Sequence, residues 1–98
     1  MTFIQTMDFT TDDPDKMRSA AERWANDAIT NGTAKRGILT QDRSTPGRYV
    51  WIVFFDSAER AAANNERPET GRFAEEFGAL CTDGIAFSQF DVVDTHGA

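Results

Sequence analysis

In 98 residues the sequence has one cysteine, Cys81, and one histidine, His96. A lone cysteine excludes an intramolecular disulfide, and a reducing, cytoplasmic setting is expected. Neither residue has companions at ligand spacing, so no metal is expected. A Ser-His-Asp or Cys-His device needs a buried, oriented imidazole, and His96 stands in a short tail that reads as frayed. Cys81 follows Leu80 near a helix end, where a thiolate is disfavoured, and reads as small packing. Positive charge is scarce too: ten Lys and Arg face sixteen Asp and Glu, a net charge of −6. This excludes the basic footprint of a nucleic-acid binder and disfavours anionic membrane surfaces. The longest apolar run, Tyr49 to Phe55, is far too short for a membrane helix. The first residues, Met1-Thr2-Phe3-Ile4-Gln5, lack the basic and apolar segments of a signal peptide. No phosphate loop appears, because Gly32, Gly37 and Gly47 are scattered. Nucleic acid and membrane are therefore not expected partners, and no cofactor fingerprint is present.

Aromatic side chains, by contrast, are plentiful: eight Phe, two Trp and one Tyr, in a chain that is 40% hydrophobic. That mass suffices for one domain spanning residues 1–98, which at this size buries about 60–68% of its unfolded surface. A single sheet with two helical regions cannot easily hide so many rings, and the surplus points to a partner or a pocket.

The elements follow in order. Phe3 to Phe9 alternates with period two and reads as a strand with both faces covered. Asp12-Asp13-Pro14-Asp15 starts a helix, with Asp13 able to cap free N–H groups and Pro14 at the first helical position. Met17, Ala20, Ala21, Trp24 and Ala28 recur at helical spacing, and Asn31-Gly32 ends the run. Ala34 to Gln41 reads as a strand and Ser44-Thr45-Pro46-Gly47 as a turn. Arg48 to Phe55 is the strongest strand, apolar on both sides and hence central. Asp56-Ser57 caps a second helical region, which Asn64-Asn65-Glu66-Arg67-Pro68 interrupts. Helix resumes with Phe73, Phe77 and Leu80 at i, i+4, i+7. Asp83-Gly84 reads as a turn before a last strand from Ile85 to Val93. Two βαβ crossovers joined by a hairpin give a ferredoxin-like α+β fold, βαββαβ, with a four-stranded antiparallel sheet and helices on one face. The other face is bare yet apolar, and a second copy is the simplest cover, so a homodimer is expected.

Three features carry a resemblance: this element order, the strand Tyr49–Phe55 running directly into a helix at Asp56-Ser57, and the broken second helix, followed by a closing strand ending Phe90-Asp91-Val92-Val93. The sequence resembles the dimeric α/β-barrel superfamily, which includes the antibiotic-biosynthesis-monooxygenase-like proteins. The resemblance implies a homodimeric barrel and, as one activity, cofactor-free oxygenation of an aromatic or polyketide-like compound. Haem-degrading members rely on an axial His, and no His stands in a helix here. A non-catalytic homodimeric module remains the alternative, since one scaffold hosts many roles.

The chain lacks a paired-carboxylate motif and a nucleophile with a base, so aromatic surface is its main binding resource. An apolar cavity between sheet and helices, lined by Phe9, Trp51, Tyr49, Phe55, Phe73 and Phe77, is the expected site. Gln5, Gln89, Tyr49 and Asn65 are the expected polar groups. Each has a plainer role open to it: Trp24, Phe73 and Phe77 as core, Trp51 as dimer core, Asn64 and Asn65 as helix caps. Lys35, Arg36, Arg43 and Arg48 form the one basic patch, either protection of an edge strand or an anion site.

Overall fold

A computed structural model describes residues 2–97. The strands are β1 (Phe3–Thr11), β2 (Ala34–Gln41), β3 (Arg48–Phe55) and β4 (Cys81–Asp91). The helices are α1 (Pro14–Thr30), α2 (Ala58–Asn65) and α3 (Pro68–Leu80). The strands form one antiparallel sheet in the order β2-β3-β1-β4, so the two strands read as most apolar are central. This is the ferredoxin-like α+β arrangement expected from the sequence.

Local chemistry sets the boundaries. The Asp13 carboxylate accepts from the Lys16 N–H at the start of α1, with Pro14 at the first helical position. Ser57 does the same for α2 through the Arg60 N–H. The break between α2 and α3 is present, and Pro68 opens α3.

Burial alternates along the central strands and identifies the helix-covered face. Phe3 and Phe9 of β1, and Trp51, Val53 and Phe55 of β3, are buried there. Helices reach them through rings: Phe77 meets Phe9 edge-on at 4.5 Å, and Trp24 meets Trp51 at 5.8 Å. Trp51 needs space from the sheet as well. A Cβ at Gly37 would stand 2.5 Å from the Trp51 ring, so glycine at this position in β2 lets the indole lie across it.

One open reading is decided and one expectation is corrected. Trp51, read as lining either the cavity or a dimer core, is only 3% exposed and lies under the helices, so it does not form the bare face. The bare face carries Ile4, Ile38, Val50, Ile52, Phe54 and Phe90 instead, the opposite parity of the same strands. β4 also begins earlier than expected, directly after α3. Asp83-Gly84 is not a loop before it: Gly84 (φ +77°) lies within the strand, where the β1–β4 register shifts between Phe9 and Thr11. Thr11 ties this corner together. Its hydroxyl donates to the Leu80 carbonyl at 2.6 Å and accepts from the Asp13 N–H at 3.1 Å, while its N–H donates to the Gly47 carbonyl at 3.0 Å.

Candidate functional site

Over β2 and β3, and at Phe3 and Phe9 near the two ends of β1, the helices close down on the sheet; over the middle of β1 and the facing part of β4 they do not. A cavity of about 330 Å³ remains there. Its floor comes from the helix side of β1 and β4, where Gln5 faces Gln89 and Met7 faces Phe87 across the ladder, with Ile85 next along β4. Its roof comes from Trp24 of α1 and from Phe73 and Phe77 of α3, with Asn65, Thr70 and Gly71 at the helix break.

Of the residues expected at the site, Gln5, Gln89, Asn65, Phe73 and Phe77 border this cavity. Phe9, Tyr49, Trp51 and Phe55 do not. Phe9 is buried and stacks on Tyr49, with centroids 6.0 Å apart. Phe55 and Trp51 are fixed in the core. These four lie on the correct face of the sheet but over its closed half or at its margin. Sequence reasoning missed Met7, Trp24, Thr70, Gly71, Ile85 and Phe87. Register was the missing information: only the pairing of Met7 with Phe87 brings these two onto one floor.

The cavity surface is mostly apolar and carries no charged side chain. Trp24 and Phe73, with centroids 5.1 Å apart, give it a wall for a flat molecule. The Trp24 and Trp51 indole N–H groups and the Asn64 amide nitrogen are buried without a hydrogen-bond partner.

The helix break beside the cavity is tied down. Arg67 donates to Asp27 of α1 at 2.8 Å and to Glu69 at 3.2 Å. The Thr70 hydroxyl donates to the carbonyl of Asn64 at 2.7 Å. The Asp27 carboxyl is held below the usual carboxylate range, first by the Asn31 side-chain amide and further by Arg67.

The basic patch does not gather into an anion site. Arg48 grips both Asp8 and Asp42, which raises its pKa. Lys35 meets Asp56 at 3.3 Å, and Arg36 lies over the Phe54 ring at 5.8 Å. Cys81 is half-buried with its thiol pKa pushed up by burial, and its Sγ donates to the Phe77 carbonyl at 3.3 Å. Among the described residues no group of His, Cys, Asp and Glu gathers as a metal site, and no helix is long and apolar enough to cross a membrane.

The architecture is the one adopted by antibiotic-biosynthesis-monooxygenase-like structures. SnoaB, a cofactor-independent oxygenase from Streptomyces nogalater, superposes with a TM-score of 0.83 at 20% identity, over 96% of this chain and 95% of its own. An antibiotic biosynthesis monooxygenase candidate from Nitrosomonas europaea gives 0.82 at 13% identity, over 98% and 94%. Rv0793 from Mycobacterium tuberculosis gives 0.80 at 14% identity, over 99% and 100%. At these identities the likeness is one of fold. No protein-family model matches the sequence, and no curated protein matches it significantly.

Proposed function

We propose that this chain is a homodimer whose cavity binds a small, flat, apolar or aromatic molecule and oxygenates it without a cofactor. The observation that carries the reading is the cavity itself. A module whose aromatics only build an interface would have no use for a space walled by Trp24, Phe73 and Phe77 and furnished with Gln5, Gln89 and Asn65. The description of SnoaB, a cofactor-independent oxygenase on the same fold, supports the chemistry by analogy.

Such a reaction balances with a phenol as substrate. One atom of dioxygen enters the ring as the second carbonyl of a quinone, and the other leaves as water. The two hydrogens of that water come from the substrate's hydroxyl and from the ring carbon that is oxygenated. The substrate supplies all four electrons. The protein's share is binding and stacking. The cavity lining includes no titratable side chain, so turnover should rise with pH through the substrate's own pKa.

Titration with quinols and polycyclic phenols tests this, with Trp fluorescence reporting binding and an oxygen electrode reporting turnover. Quenching with oxygen uptake is expected; no response from any member would leave only a structural role. The homodimer is supported by the apolar bare face, where Phe90 is 53% exposed. Sedimentation should give twice the chain mass, and Ile52→Glu, which would bury a carboxylate between two sheets, should give the monomer.

A further inference from the structure

The cavity is chemically divided along its length. α3 leads straight into β4 at Cys81, which pairs with Thr11. The C-terminal end of α3 therefore lies over the Thr11 end of β1, and its first turn lies toward the Phe3 end. At the Thr11 end the lining is Phe77 and Ile85, wholly apolar. At the other end Gln5 and Gln89 stand directly opposite each other on neighbouring strands, below Thr70 and Asn65. Residues so paired have Cβ atoms about 4.5–5.5 Å apart.

From this we infer that the Gln5–Gln89 carboxamide pair is the polar anchor of the cavity. Its ligand is a neutral, flat molecule of about two fused rings, one edge of which carries a carbonyl beside a hydrogen-bond donor. The inference rests on the reading of the cavity as the ligand site. Each carboxamide offers one accepting oxygen and two donating N–H bonds. Side by side, the pair can donate to a ligand carbonyl from one side chain and accept from the adjacent O–H or N–H with the other. A ligand lacking that edge would strip the amides of water and return nothing for it. A charged ligand is disfavoured because the lining holds no counter-ion. The volume, about 330 Å³, lies at the small end of the range for organic-ligand pockets, which fits two rings with their substituents.

Calorimetry with three two-ring probes tests the inference. Carbostyril, a lactam, presents N–H beside C=O; N-methylcarbostyril keeps the carbonyl and loses the donor; naphthalene has the ring shape alone. The unaltered protein should bind carbostyril about tenfold more tightly than its N-methyl derivative, as expected for one hydrogen bond. In Gln5→Met and Gln89→Met that gap should close, while naphthalene, which no longer strips an amide of water, binds at least as tightly as before. Gln89 is exposed on an edge strand, so its variant keeps the fold and carries the test if Gln5→Met does not fold. Equal binding of the two lactams by the unaltered protein, or a gap that survives in the Gln89 variant, overturns the anchor and leaves the cavity a ligand site. If none of the three probes binds, the cavity reading fails and the anchor with it.

Discussion

The two halves of the helix-covered face are built from similar materials and end up differently. Over β2 and β3, Trp51, Val53 and Phe55 are buried and the backbone at Gly37 is bare, so the indole fits flat on the sheet. Over β1 and β4 the same helix layer spans Met7, Gln5, Phe87 and Gln89 without filling the space between. Trp24 belongs to both, meeting Trp51 with one edge and lining the cavity. Aromatic content alone therefore does not mark a binding site. Rings make a core where small residues oppose them, and they make a wall where nothing does.

Substitutions can break this contrast. The largest effect is expected from Trp51→Ala, which would open a void in the closed half and cost about 3–5 kcal/mol in urea unfolding. Phe87→Ala on the open half should change stability by no more than about 0.5 kcal/mol, because Phe87 is 68% exposed. A large cost at Phe87 would mean the two halves are not distinct. Next comes Gly37→Ala. The added methyl would press on a buried ring that has nowhere to swing, and about 1–3 kcal/mol of lost stability is expected.

The smallest effect sharpens the contrast at the hairpin of the closed half. The Asp42 carboxyl is held below the usual carboxylate range, first by the Ser44 N–H and then by the Arg48 side chain. A depressed carboxyl contributes stability above its unfolded pKa of about 3.9 and loses that contribution as the pH falls through the lower folded value. Asp42→Asn should therefore flatten the acid limb of the stability profile below about pH 4 and leave its neutral portion with the same slope. An unchanged acid limb would show that the carboxylate is not coupled to folding.

Much of the fold was legible because local signals were unambiguous. The Arg48–Phe55 strand is uninterrupted, Asp13-Pro14 and Ser57 are strong caps, and Pro68 cannot continue α2 but fits the first position of α3. The direction in which Trp51 points was not legible. A strand apolar on both sides loses the contrast between its two parities, so period two no longer tells the covered face from the bare one. β4 started early for a related reason: a glycine with positive φ reads as a turn, yet a register shift uses the same conformation inside a ladder. Within the site, Gln5, Gln89, Asn65, Phe73 and Phe77 were found by residue type. Met7, Ile85 and Phe87 depended on register, and a single sequence does not carry register.

β4 is an edge strand whose cavity-facing residues remain largely in contact with water. Substitutions along it cost the fold little, because few buried partners depend on them. The closed half and the open half can therefore change at different rates. A lineage can redraw the floor of its cavity, residue by residue, while Trp51 and its neighbours keep the sheet and helices in register. Structures of one architecture at 13–20% identity are the expected outcome of such a division.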